Sequence, residues 1–221
     1  MMSKMKIAVG VLGAMSVAFS VWAGTSDLSN IVLPAPHMAG GKPLMQALKE
    51  RQSTRAFSAK KLPVQVMADL LWAAAGISRP ESGKLTAPTA RNWQEIEIYA
   101  VMEDGVYLYD AQTNSLKAVM KGDLRTLTGP QGFVAAAPLN LVFVADTTKM
   151  KGASPEDQAL YMATDTGYIS QNVYLFCASE GLATVVRGMV DRKALAEALK
   201  LPAQKKIVLA QTVGYPATKS R

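Results

Sequence analysis

The chain has 221 residues, enough for one domain with a sizeable core, and its 49% hydrophobic against 19% charged residues exclude a disordered polar chain. Its formal net charge of +7 is carried by scattered cations, and the one close cluster, Arg192, Lys193, Lys200, Lys205 and Lys206, lacks interleaved aromatics, which argues against a nucleic-acid partner. A single histidine, His37, and a single cysteine, Cys177, exclude an intramolecular disulfide and make Ser-His-Asp triads, Cys-His pairs and His-based zinc sites hard to build. An enzyme of this composition would draw its chemistry from an added cofactor.

Residues 1–23 read as a secretory signal peptide. Lys4 and Lys6 precede an apolar run from Ile7 to Trp22, interrupted by Gly10, Gly13, Ser16 and Ser20, and the run closes on Val21-Trp22-Ala23. The run is shorter than the roughly 20 residues a span needs, so no stable membrane span is expected after cleavage near Ala23. The expected location is periplasmic or secreted. Removal of Lys4 and Lys6 would take the formal charge from +7 to +5. Residues 24–42 hold Gly, Pro, Ser and Asn without periodicity and read as an N-terminal arm, either ordered or a flexible lead-in. His37 lies within it and reads as a solvated loop residue.

The folded domain is expected over 43–221. Pro43 opens a helix to Gln52, with Leu44, Met45 and Leu48 as its expected buried stripe. Pro63 opens a second helix, in which Val66, Leu70, Leu71 and Ala74 recur at helical spacing up to Gly76. Residues 77–94 read as a long loop. Strands follow at Glu95–Met102 and Val106–Tyr109, joined by the Asp104-Gly105 turn, and the apolar run Leu139–Ala145 reads as a central strand. Pro155–Ser179 is the longest helix, capped by Ser154, ended by Glu180-Gly181 and apolar on more than one face, as a helix buried in a core or a dimer interface would be. Cys177 within it reads as a buried structural thiol. Leu182–Val186 is a short strand, Asp191 caps a helix to Leu199, and Ile207–Val213 is the last strand. This mixture predicts an α+β sandwich rather than a doubly wound sheet.

Four segments carry groups with chemical potential. In an extended chain Arg51, Ser53 and Arg55 would share one side and could converge on an anion, forked guanidinium donors suiting a phosphate; taken alone, the cluster reads better as a solvated polar helix end. The loop Pro88-Thr89-Ala90-Arg91-Asn92-Trp93-Gln94 offers a hydroxyl, amides and an indole that suit the edge of a heterocycle, or an Asx-type turn entering a strand. At Glu180-Gly181-Leu182 the glycine would let backbone N–H groups approach a flat ligand, and a helix stop explains it equally well. Lys219 and Arg221 add cations in what by default is a basic tail.

In this order and spacing the segments resemble the FMN-dependent nitroreductase family, from about Pro43 to the C-terminus. Arg51-Gln52-Ser53-Thr54-Arg55-Ala56-Phe57 resembles the family's Arg-Arg-Ser-x-Arg-x-Phe, with Gln52 in place of the second arginine. Pro88 to Gln94 resembles Pro-Ser-x-x-Asn-x-Gln, with Thr89 for serine, and Gly181-Leu182-Ala183-Thr184 is similar to Gly-Leu-Gly-Thr, with Ala183 for glycine. Val185-Val186-Arg187-Gly188 looks like the branch that contains the thiazole- and oxazole-forming azoline dehydrogenases.

The resemblance implies a three-layer α/β/α sandwich with a mainly antiparallel central sheet, paired as a homodimer with FMN between subunits. It implies that Arg51, Ser53 and Arg55 hold phosphate and ribityl, with Lys219 and Arg221 as further phosphate contacts. Pro88, Thr89, Asn92 and Gln94 would meet the flavin across the dimer, and Glu180, Gly181 and Leu182 would lie beside its N5. The implied activity is ping-pong transfer of hydride or electrons from an unidentified donor to a small-molecule or peptide acceptor, no side chain forming a covalent intermediate. The alternative is a non-catalytic flavin- or ligand-binding protein that retains the fold.

Overall fold

The computed structural model describes residues 27–217; the expected signal segment and the candidate contacts Lys219 and Arg221 lie outside them. In chain order the elements are β1 (Ile31–Val32), α1 (Leu44–Glu50), α2 (Val64–Ala75), β2 (Ile77–Arg79), β3 (Lys84–Leu85), β4 (Ile96–Val101), β5 (Gly105–Asp110), β6 (Ser115–Lys121), α3 (Phe133–Ala136), β7 (Leu139–Asp146), α4 (Pro155–Glu180), β8 (Ala183–Arg187), α5 (Arg192–Ala198) and β9 (Lys205–Gly214). Seven strands form one sheet in the order β1-β6-β5-β4-β7-β9-β8, every neighbouring pair antiparallel.

Strand β7 is apolar because both its faces are covered. Leu139, Leu141, Phe143 and Ala145 point to the side of α2 and α4, where they pack with Leu70, Leu71, Ile169, Val173 and Cys177. Val142 and Val144 point the other way and join Tyr99, Val101, Leu195 and Ile207 in a second cluster beneath α5. The period-two alternation of side chains thus divides one strand between two cores. The result is the expected three-layer α+β sandwich, its second outer layer made thin by the short α5. Among the described residues no helix is long and apolar enough to cross a membrane.

The structure departs from the sequence reading in three places. Within α1 only Ala47 is buried; Leu44 is 63% exposed and Met45 76%, with Leu48 also exposed, because this short helix meets α4 through its small residue and turns its large apolar side chains outward. Residues 77–94 contain a small β2–β3 hairpin rather than an unbroken loop. β6 was not legible as a strand because lysines interrupt the alternation in Ser115–Lys121. The arm is an ordered strap: β1 pairs with β6, Leu33 is buried, and His37 gives both a backbone and a ring contact to Asp69 of α2.

Arg187 on β8 is buried and has no carboxylate partner among the described residues. It donates to the Thr128 carbonyl and hydroxyl, to Asn140 Oδ1 and to Thr212 Oγ1, tying the segment before α3 to the sheet, and burial lowers its pKa to about 10. The forked guanidinium supplies the several donors this requires. Replacing it leaves the Thr128 carbonyl without this donor and Asn140 Oδ1 with only the Thr212 hydroxyl, so Arg187→Met is expected to lower unfolding free energy by on the order of 3 kcal/mol in denaturant titrations, and Arg187→Lys to recover little of it.

Candidate functional site

The longest helix ends at one wall of an open cleft of about 520 Å³. The ending is encoded by Gly181, whose φ of 69° and ψ of 25° place it in the left-handed region that glycine enters without penalty. The N–H groups of Gly181 and Leu182 both donate to the Cys177 carbonyl. Both backbone donors are thus engaged in closing the helix at the cleft wall. A Cβ added at Gly181 would meet nothing within 4 Å, so the glycine answers the turn and not a crowded backbone approach. Glu180 is exposed and accepts from the Ser179 hydroxyl.

Tyr174, two turns before that end, joins the cleft together. Its hydroxyl accepts the Val186 N–H at 3.0 Å and lies 2.8 Å from Ser53 Oγ, while the Arg51 guanidinium sits over its ring, 5.2 Å from the centroid. The segment that leaves α1 is held in extended form by backbone bonds, Thr54 N–H to the Thr184 carbonyl and Ser58 N–H to the Tyr215 carbonyl. Arg51 and Ser53 therefore face one tyrosine, as strand-like alternation implies. Arg55 is exposed and does not line the cleft.

Lys42 and Lys49 line the cleft with Arg51, so three cations face it. Lys42 reaches the cleft because the arm carries it there. Its backbone N–H donates to Ser179 Oγ and its ammonium to the Ala178 carbonyl and, at 2.5 Å, to Glu50, whose carboxyl is held below its usual range chiefly by that contact. Neither lysine stood out in the sequence, where each is one more charge at a helix end. Tyr174 had a faint signal: with Cys177 and Gly181 it repeats at i, i+3 and i+7, one helix face. Cys177 is fully buried, and desolvation pushes its thiol well above the usual range.

The loop of Pro88 to Gln94 lies elsewhere in the chain. It rests on α4 at Asp165, nine residues before Tyr174, about 13 Å along the helix at 1.5 Å per residue. Within it Thr89 and Gln94 hold the loop: Thr89 Oγ1 accepts the Gln94 N–H, and the Gln94 amide donates to the Gly83 carbonyl and to Asn92 Oδ1. Asn92 and Pro88 are exposed. Arg91, Asn92 and Gln94 have φ of 50°, 55° and 49°, three non-glycine residues in the left-handed region within four positions. Such residues persist only where the surroundings hold them, and they concentrate at functional sites.

Directly after the loop, Glu95 is 0% exposed, and neither of its carboxyl oxygens has a hydrogen-bond partner among the described residues. Asp165, 1% exposed, stands beside it and accepts the Ala90 N–H at 2.9 Å. Burial, with the neighbouring carboxyl adding to it, raises the Glu95 pKa to about 7. Sequence reading treated Glu95 as the first residue of an alternating strand and missed this pair.

Comparison with known proteins gives a consistent set of likenesses. A model of the nitroreductase family matches residues 48–215. A protein of Methanocaldococcus jannaschii assigned as a nitroreductase is 29% identical over 168 residues, 72% of this chain and 84% of the relative. A solved structure from Ralstonia eutropha, also assigned as a nitroreductase, superposes with a TM-score of 0.83 at 38% identity, covering 95% of this chain and 96% of that one. Nitroreductase A of Vibrio parahaemolyticus shares the fold at a TM-score of 0.58 and 22% identity over 80% of this chain and 70% of that one.

Tyr174→Phe removes the acceptor of the Val186 N–H and the partner of Ser53 while keeping the ring beneath Arg51. A loss of about 1–3 kcal/mol in stability is expected, because the Val186 donor is left without its partner. Thermal unfolding of the variant beside the parent protein measures it; a change below a few tenths of a kcal/mol would remove Tyr174 as the joint of the cleft.

Proposed function

The chain belongs to the nitroreductase family, and we propose that it is an exported, homodimeric, FMN-dependent oxidoreductase that passes electrons from a donor to a small-molecule or peptide acceptor. The observation that carries this reading is the convergence of Lys42, Lys49 and Arg51 with the capped end of α4 on one cleft. The donor set fits a phosphate-bearing flavin: cations, one of them forked, suit the phosphate, and Ser53 and Thr54 are placed beside Arg51 for a polyol chain. FMN held there would supply the two-electron chemistry that no side chain of the cleft provides. The chain's own part is to bind and orient. Arg51 is braced by the Tyr174 ring, and the extended 51–58 segment is fixed by its backbone bonds to β8 and Tyr215.

Two features support a dimer. Leu44, Met45 and Leu48 on α1 and Leu160 and Tyr168 on α4 are large, apolar and exposed, the kind of surface a second copy would cover. The loop bearing Thr89, Asn92 and Gln94 rests about 13 Å along α4 from Tyr174 in its own chain and does not line its cleft, which favours a site completed by the loop of a second chain. Export rests on the pattern of residues 1–23 and predicts a processed protein beginning at Gly24.

The test is the visible spectrum of the protein after addition of FMN and removal of the excess. Flavin bands at about one per chain are expected, reducible by a nicotinamide or other donor and reoxidised by an acceptor. Arg51→Ala should raise the FMN dissociation constant roughly 10- to 100-fold, the loss of one charge-assisted contact. A protein that stays colourless, or an Arg51→Ala variant with unchanged affinity, would overturn the cofactor assignment.

A further inference from the structure

We propose that Glu95 is a positioning residue whose proton clamps the 88–94 loop: one proton shared by the Glu95–Asp165 pair keeps the loop pinned to α4, and its loss releases the loop. Two carboxyl groups enclosed together cannot both ionise at ordinary cost, because each disfavours charge on the other and neither is hydrated. Asp165 is the better seat for the single negative charge, since it already accepts the Ala90 N–H. Glu95 then carries the proton.

The charged groups acting on Glu95 come from two elements. Asp165 faces it from α4 and opposes its ionisation, while Lys149, from the turn after β7, weakly favours it. Lys149 also donates to the Gln94 carbonyl at 3.0 Å, so the cation and the acid pair grip the loop from opposite ends. Between them lie three left-handed non-glycine residues, a conformation that relaxes once its supports are withdrawn. With burial raising the Glu95 pKa from the usual carboxyl range to about 7, the clamp is at full strength only below that usual range, loosens as pH rises from there, and levels off above about 7. The sign follows from the neutral form being the one the fold favours. Ionised Glu95 would face the Asp165 carboxylate, and the accessible relief is to part the loop from Asp165 and admit water.

The consequence for a bound cofactor rests on the reading above, because it requires Asn92 and its neighbours to contact FMN. The clamp itself does not. Amide hydrogen exchange of the peptide spanning 86–95, corrected for the intrinsic pH dependence of exchange, is the measurement. Protection is expected to fall at least tenfold between about pH 5 and pH 8 in the wild-type chain, most of it below pH 7, while α2 stays protected. In Glu95→Gln, which is neutral at every pH, it should change less than twofold. Asp165→Asn keeps an oxygen for the Ala90 N–H and removes the second charge but not the burial that chiefly raises the Glu95 pKa, so its fall should lie between those of the wild-type chain and Glu95→Gln. A flat wild-type profile, or a fall that Glu95→Gln retains, overturns the proposal; if neither variant folds, the wild-type profile still decides, a flat one refuting the clamp and a fall that levels off near pH 7 and is confined to this peptide supporting it. Exchange needs no flavin, so a colourless protein with a pH-dependent loop would sink the cofactor reading alone, and an FMN-loaded protein with a flat profile would sink the clamp alone.

Discussion

The Tyr174 hydroxyl is the point on which the cleft depends, because it meets pieces of chain that are far apart in sequence. It accepts the Val186 N–H from β8 and pairs with Ser53 from the segment after α1, while its ring lies under Arg51. A buried hydroxyl satisfied on both sides fixes direction as well as distance, which apolar packing alone does not. The rest of the wall follows from the turn seven residues later, where Gly181 takes the left-handed conformation and Cys177 accepts both N–H groups beyond the helix. Helix, strand and extended segment are thereby locked in one arrangement by the chain's own contacts, which lowers the ordering cost of binding a ligand there.

The fold was legible where burial is one-sided or complete. Strand β7 shows as an apolar run because both faces are covered, and α4 shows because Ser154, Pro155 and Gly181 punctuate it at each end. The stripe of α1 misled for a physical reason: Leu44, Met45 and Leu48 have helical spacing, but periodicity reports that a face is apolar and not what covers it. Strand β6 was lost because Lys117 and Lys121 break its pattern, although Leu116 is fully buried and pairs across to Tyr109.

The site was legible in part for a related reason. Arg51, Ser53 and Gly181 announce themselves through residue types at recognisable spacing, and the structure brings Arg51 and Gly181 to one cleft, with Ser53 on the Tyr174 hydroxyl beside it. Lys42 reaches that cleft only because the arm is strapped across α2 and α4, a long-range fact no local pattern contains. The same holds for the acid pair. Glu95 and Asp165 are separated by 70 positions, and each alone looks like an ordinary acid beside an apolar run. Only burial, with Asp165 beside it, gives Glu95 its raised proton affinity.

The two halves of the candidate site are held by different physics. The cleft at the end of α4 is fixed chiefly by neutral hydrogen bonds and a helix cap. The 88–94 loop adds to its neutral bonds a carboxylate and a cation against three left-handed residues, so part of its hold is electrostatic. One helix carries both, Asp165 under the loop and Tyr174 under the cleft. In a pair of chains α4 would therefore offer a rigid wall at one point and an adjustable one at another. A ligand bridging the two would feel the state of the loop without any change in the residues that hold its anionic end.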